Sequence, residues 1–430
     1  MFHKMIYFKW VKNMNRMYLC IDLKSFYASV ECVERNLNPF NVNLVVADPT
    51  RCTGAITLAI SPRLKQLGVK NRCRVYEIPK DINYITAMPR MELYMQYSAN
   101  IYKIYLKYVA KEDIFVYSID ECFLDITTYL YMYKMSEIEL AKMIINDVYK
   151  TTGITATAGI GTNMFLAKVA LDITAKKSSD NIGFLNEEIF KRTIWFHTPI
   201  TDIWNIGPGI AKRLAKYNAY SLYAVSNLNE RLLYEEFGVN AKNIIEHSKG
   251  IDNTTINDIH SYKPKNNSLS NSQILYEDYN YDDAFLVFNE MVENNCRKLI
   301  KKKLVASRIS IYVGYSKDVI KPTGMSMKLY ECTNSYMKLN EYFKMLFVKT
   351  TNKNYMIRRL GISFSVLDEK YKTYDLFTDY EKENKEISLQ KSIILLKEKY
   401  GKNIVLKAMN LEKNATQVKR NKLIGGHNAK

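Results

Sequence analysis

Apolar positions along the chain follow two rhythms that alternate with each other. Short, nearly continuous apolar runs predict strands at Tyr18–Leu23 (YLCIDL), Asn43–Ala47 and Gly153–Ile160 (GITATAGI). Ile114–Ile126 (IFVYSIDECFLDI) predicts two strands, or one bent strand, around a polar centre. Between these runs the apolar spacing widens to three and four residues. A helix is expected over Ser25–Asn36, with Ser25 as its cap and Phe26, Val30 and Val33 facing inward. Another is expected over Asn163–Lys177, with Phe165, Val169 and Ile173 along one side. Strands alternating with helices point to an α/β or α+β core.

From Phe190 to Ile251 the pattern changes to short helices around a Gly-Pro-Gly turn, and Asp252–Asn267, polar and rich in lysine, reads as a linker. A β-α-β-β-α-β string follows: Leu269–Tyr276, Tyr281–Lys301, Val305–Tyr315, Gly324–Cys332, Asn334–Val348 and Ile357–Leu367. That order of elements predicts a ferredoxin-like split unit. Beyond Thr378 the chain is charged, with one helix expected over Ser388–Tyr400. Met17 directly precedes the first strand, so residues 1–16 read as an extension or a misplaced start.

With 430 residues, 47% of them apolar, several compact units are expected. The balance of 62 Lys and Arg against 44 Asp and Glu leaves a formal charge of +18. Such an excess suits a polyanionic partner, because phosphates neutralised by the protein release their counterions. Seven scattered cysteines without a C-x-x-C pair argue against a zinc ribbon and for reduced thiols in a cytoplasmic protein. No stretch approaches the length of a membrane span, and residues 1–16 lack the apolar run of a signal peptide.

Against this background three acidic residues stand out. Asp22 ends the first strand, and Asp120 and Glu121 interrupt an apolar run. A carboxylate in a buried context is costly unless it is paired or binds a metal. Three carboxylates on neighbouring strands can hold two Mg²⁺ ions about 4 Å apart, as in two-metal phosphoryl transfer. Acids at an exposed strand end would look the same in isolation.

The surrounding words are more specific. YLCIDLKSFYASVE, TGAITLAISPRLKQLGV, VYSIDECFLDIT and GITATAGIGTNMFLAKVALDITAKK occur in this order. Together they resemble the Y-family translesion DNA polymerases, closest to the bacterial UmuC-like, UV-repair branch, from about Met17 to Phe377. The resemblance implies an α+β right hand: palm at 17–36 and 96–180, fingers at 37–95, thumb at 181–251, linker at 252–267, little finger at 268–370 and tail at 371–430. It implies a low-fidelity enzyme without proofreading that adds dNTPs to primer-template DNA opposite damage. Asp22, Asp120 and Glu121 match the metal-binding carboxylates, and the Leu23 carbonyl a further ligand. In the nucleotide pocket, Tyr27 beside Phe26 matches the steric gate against ribonucleotides. Arg63 and Lys176 match triphosphate-binding cations, with Lys177 an alternative to the latter. Thr57 is a candidate hydroxyl donor to the same phosphates. The family often has a tyrosine three residues before the arginine; here it is Ile60.

The segment DIWNIGPGIAKRLAKY resembles a helix-hairpin-helix element, in which Gly207 and Gly209 let backbone approach a phosphate while Lys212 and Arg213 add charge. Thr373-Tyr374-Asp375-Leu376-Phe377 resembles a sliding-clamp-binding motif without its usual leading Gln. Two other readings remain open at this point: a non-catalytic DNA- or clamp-binding subunit, and a palm-fold nucleotidyl cyclase.

Overall fold

The computed structural model describes residues 16–50, 54–264, 267–373 and 379–430. They form two compact units. One runs to Tyr262 and regains His427–Lys430; the other is Lys263–Gly426.

The strands of the first unit are β1 (Tyr18–Leu23), β2 (Leu44–Val46), β3 (Ala59–Ile60), β4 (Ile85–Ala87), β5 (Ile114–Val116), β6 (Glu121–Asp125), β7 (Ala156–Gly161) and β8 (Ile182–Leu185). Five build a central sheet in the order β5-β6-β1-β7-β8, with β1 between two antiparallel neighbours. Strand β1 is buried almost throughout because both of its faces are covered. Tyr18 and Cys20 lie in one cluster with Phe123, Met164, Ala167 and Leu171. Asp22, two residues further along β1, shares their face. The covering helix sits directly on β7, since a Cβ at Gly159 or Gly161 would come within 2.2 Å of the Ala167 backbone. The glycines of GIGTN therefore permit that contact.

Strands β3-β2-β4 make a separate small sheet, packed by Val45, Ile60, Leu64, Val69 and Ile78. The helical stretch after Glu187 packs Phe190, Leu214, Leu222, Leu233 and Phe237 into one cluster with Phe165, Val169 and Ile173 of the helix that covers β7.

Several expectations change here. The helix over Phe26–Val33 is shorter than expected, and Ser25 does not cap it by its side chain. Ser25 is instead left-handed (φ 47°), and Ser29 donates its hydroxyl to the Lys24 carbonyl at 2.7 Å. The expected single helix at 163–177 is α-helical over Met164–Val169, π-helical over Ala170–Thr174 and 3₁₀ over Ala175–Lys177. The expected linker contains a capped helix, Ile256–Ser261, whose Ile256 joins the cluster beneath Tyr18.

The second unit has strands β9 (Asn267–Tyr279), β10 (Leu304–Tyr315), β11 (Thr323–Thr333) and β12 (Ile357–Asp368), in the order β11-β10-β12-β9. The elements follow the expected β-α-β-β-α-β string, but the arrangement is not ferredoxin-like. A ferredoxin-like sheet centres its first and third strands, whereas the second and fourth lie at the centre here. Both arrangements alternate strand direction and split each β-α-β unit, so the string alone cannot tell them apart. Helices Tyr281–Lys301 and Tyr336–Thr350 share one core with the sheet through Phe288, Phe343, Phe347 and Phe364.

The tail is part of this unit. Its helix spans Tyr380–Tyr400, longer than expected, and Glu386 accepts from Ser335 Oγ (2.6 Å) and Tyr336 N (2.8 Å) at the start of the second helix. Glu290, 1% exposed, accepts from Asn410 Nδ2 (2.9 Å), Thr416 N (2.8 Å), Thr416 Oγ1 (3.0 Å) and Gln417 N (3.0 Å). Glu290→Ala is expected to destabilise this unit by roughly 3 kcal/mol, because it strips several buried donors at once. Urea unfolding of the full chain checks this, and an unchanged midpoint contradicts it.

Candidate active site

The register of the central sheet sets Asp22 directly opposite Glu121 on β6, and Leu23 N donates to the Asp120 carbonyl at 3.0 Å. Two strand ends thus carry the three carboxylates to one place. Their charges interact: burial first, then Glu121 and Asp120, push the Asp22 carboxyl up to about 7, while Lys176 and Lys168 oppose the rise.

One buried cation was missed in the sequence. Lys168, only 5% exposed, places Nζ 2.7 Å from Glu121 Oε1 and 3.2 Å from Asp172 Oδ2. Asp172 also accepts from Lys176 Nζ at 3.0 Å. An alternating row, Glu121–Lys168–Asp172–Lys176, runs along the irregular helix from the strand end toward solvent.

The remaining candidates separate clearly. Tyr27 is half-buried and packs against Tyr94 in a tilted ring pair, with centroids 4.7 Å apart. Phe26 is 2% exposed, so its ring belongs to the core and only its backbone faces the helix start. Thr57 is wholly buried and donates its hydroxyl to the Cys73 carbonyl at 3.0 Å, which removes it as a phosphate donor. Arg63 gives way to Lys65. The two lie two residues apart on the helix Pro62–Gln66 and so face opposite sides. The Lys65 ammonium is the one beside the carboxylates: burial lowers its pKa, and it feels Asp22, Lys176, Asp120 and Lys24. Ile60 is a buried core residue of the small sheet, not a lost phenol beside a phosphate.

Away from this cleft, a Cβ at Gly207 or Gly209 would meet nothing within 4 Å, so the turn before the helix Pro208–Ala215 is open on its outer side. Arg213 is already engaged, with Nε 2.8 Å from Glu236 Oε1 and its guanidinium over the Phe237 ring. Thr373 pairs with the end of β11, since its hydroxyl accepts from Cys332 N at 2.7 Å. Tyr374–Phe377 lie outside the described residues.

The impB/mucB/samB family model matches residues 21–172, and the C-terminal domain model of the same family matches 266–376. A Bacillus subtilis (strain 168) protein that goes by the name UV-damage repair protein UvrX is 31% identical over 424 residues, covering 95% of this chain and 97% of that one. This chain belongs to the impB/mucB/samB family. DNA polymerase IV 2 of the same Bacillus strain is 30% identical over 416 residues, covering 95% of this chain and 97% of that one. A solved Y-family DNA polymerase chimera built on Dbh shares the fold, with a TM-score of 0.63, 20% identity, and coverage of 81% of this chain and 98% of that one. The family is the UmuC-like branch of the Y-family polymerases, with mixed α and β structure, and no helix among the described residues is long and apolar enough to cross a membrane.

Among the described residues no three His, Cys, Asp or Glu side chains are already drawn into a metal cage. The reason is local: Glu121 turns to Lys168, and Asp120 accepts the Ser118 hydroxyl at 2.7 Å. The donor set nevertheless suits a hard divalent cation, being all oxygen and so mutually repulsive that one member is held near neutrality. A carboxyl whose folded pKa is raised favours folding at low pH, and that contribution is lost as pH rises through about 7. The metal-free protein is therefore expected to lose stability as pH rises from about 4 to about 7, with the loss complete above that. Mg²⁺ should raise the melting temperature more on the alkaline side of that value than on the acidic side. Thermal melts with and without Mg²⁺ check this, and an equal gain on both sides contradicts it.

Proposed function

We propose that this DNA-directed DNA polymerase bypasses template damage with a right-hand layout: the central sheet as palm, the small sheet as fingers, the helical stretch near 181–251 as thumb and the second unit as little finger. The observation that carries the catalytic reading is Asp22 facing Glu121 across the sheet, next to Asp120 and ringed by Lys65, Lys168 and Lys176. A cluster of acids flanked by cations suits a substrate that arrives as a metal-bound triphosphate.

Asp22, Asp120 and Glu121, with the Leu23 carbonyl, would hold two Mg²⁺ ions, which when bound supply the positive charge that offsets charge developing on the reacting phosphate. Lys65 and Lys176 draw in the triphosphate. Free N–H groups at the start of the Phe26–Val33 helix offer it donors, as helix starts do. Lys168 holds the Glu121 carboxylate in place. The Tyr27 ring excludes a 2′-hydroxyl. Joining the primer 3′-hydroxyl to the α-phosphate then releases pyrophosphate.

The open face of the second unit's sheet suits a DNA backbone. Its register aligns Lys328, Arg308, Ser365 and Ser268 in one row, and Ser326, Ser310, Ser363 and Ser270 in the next. Short hydroxyl side chains let phosphates come close, and the two cations hold them without reading sequence. The double variant Arg308→Ala/Lys328→Ala is expected to weaken DNA binding evenly across sequences and to lower the salt slope by about 1 per residue. Fluorescence anisotropy across a salt series checks this. Lys212 and the open Gly207–Gly209 turn would add a second backbone contact, and Leu376-Phe377 a clamp contact, in the cytoplasm where bacterial DNA lies.

The deciding experiment is primer extension with Mg²⁺ and dNTPs on an undamaged and a lesion-bearing template. Extension past the lesion supports the proposal. A folded protein that binds DNA yet extends neither template, with a sliding clamp supplied, overturns it in favour of a non-catalytic subunit.

A further inference from the structure

Behind Tyr27 lies a polar assembly that phosphoryl transfer does not use. The fully buried Tyr94 sets its ring 4.7 Å from that of Tyr27, with the planes 30° apart. Its hydroxyl donates to Glu31 Oε1 at 2.7 Å. Glu31 follows Tyr27 by one helical turn and is itself fully buried. Arg90 grips it as a fork, with Nε 2.9 Å from Oε1 and Nη2 2.8 Å from Oε2. Arg35 ties to the same carboxylate and to the Glu31 carbonyl at 2.8 Å. Burial alone would favour a neutral Glu31, but hydrogen bonds from Arg90, Arg35 and Tyr94 hold its pKa below the usual value.

Such an assembly is more than packing requires, since a leucine would fill the space behind a tyrosine. A buried charge held by several donors fixes position, because each donor would be orphaned by movement. Fixed position is what a steric gate needs. A ring that can retreat by a few tenths of an ångström no longer rejects a 2′-hydroxyl, so discrimination depends on the stiffness behind the ring as well as on the ring itself. We propose that Tyr94, anchored by Glu31 and Arg90, is the positioning residue that stops Tyr27 from yielding to a ribose. This rests on Tyr27 being the gate.

The test is single-nucleotide insertion opposite template dG, reading the ratio of kcat/KM for dCTP over CTP, in wild type, Tyr27→Ala, Tyr94→Leu, Tyr94→Phe and the double variant Tyr27→Ala/Tyr94→Leu. Tyr94→Leu is expected to lower the ratio about tenfold, the scale of freeing one side chain from its locked rotamer. The loss should come from faster CTP insertion, with dCTP insertion nearly unchanged. Tyr94→Phe keeps the ring and removes only the anchor, and is expected to fall between wild type and Tyr94→Leu. The double variant should match Tyr27→Ala, since the brace acts only through the gate. Tyr27→Ala collapsing the ratio while Tyr94→Leu leaves it intact would overturn the brace and keep the gate. A ratio unmoved by Tyr27→Ala would overturn the gate and the brace with it. Should Tyr94→Leu fail to fold, an unchanged ratio in Tyr94→Phe would overturn the anchored brace.

Discussion

Asp22→Asn is expected to cut nucleotide insertion by about a thousandfold or more while making the metal-free protein more heat-stable. The first effect follows because Asp22 faces Glu121 across the sheet beside Asp120, and removing a preorganised electrostatic partner of the reacting phosphate typically costs that much. The second follows from the repulsion that pushes its carboxyl up to about 7: an amide of the same shape carries no charge for Glu121 and Asp120 to oppose. Asp120→Ala/Glu121→Ala should lose activity equally, but without the same gain, since it also leaves Lys168 without its Glu121 partner. Insertion assays and thermal melts run on the same preparations check both effects. Activity of the Asp22→Asn variant within about tenfold of wild type would remove Asp22 from the chemistry.

The second large effect is expected at Lys168. Lys168→Met should destabilise the protein by roughly 3 kcal/mol or more, because it leaves Glu121 and Asp172 facing one another in a nearly closed site. The rate of insertion should fall by about 10- to 100-fold, the usual cost of losing a partner that orients a metal ligand. The Mg²⁺ concentration for half-maximal rate should fall too, since a competing cation beside Glu121 is gone. Insertion rates across a Mg²⁺ titration separate these effects. A variant with unchanged rate and unchanged Mg²⁺ demand would reduce Lys168 to a packing role.

Much of the site was legible because strand ends and motif order survive in one dimension. Asp22, Asp120, Glu121 and Tyr27 sit on or beside elements whose apolar pattern fixes their direction. Lys65 was missed because the resemblance points to Arg63, and a five-residue helix has too few turns to reveal which face looks at the site. Thr57 stood as a phosphate donor because a hydroxyl in a loop gives no sign that a backbone carbonyl already accepts its proton. Lys168 was passed over because its partners, Glu121 and Asp172, come from a distant strand and from the next turn of its own helix. In the second unit, strand order depends on which strands meet across the sheet, and no local period encodes that. The Tyr380–Tyr400 helix was read short because its apolar residues are spread around it rather than gathered in a stripe.

The carboxylate of Glu290 has a consequence for how relatives can exchange parts. The family's C-terminal model stops at residue 376, yet the donors that satisfy this buried acid come from Asn410, Thr416 and Gln417. A graft cut at the model's edge would carry the acid and leave its partners behind. The transferable module is therefore Lys263–Gly426, and a shuffled polymerase that takes less should carry a destabilised second unit.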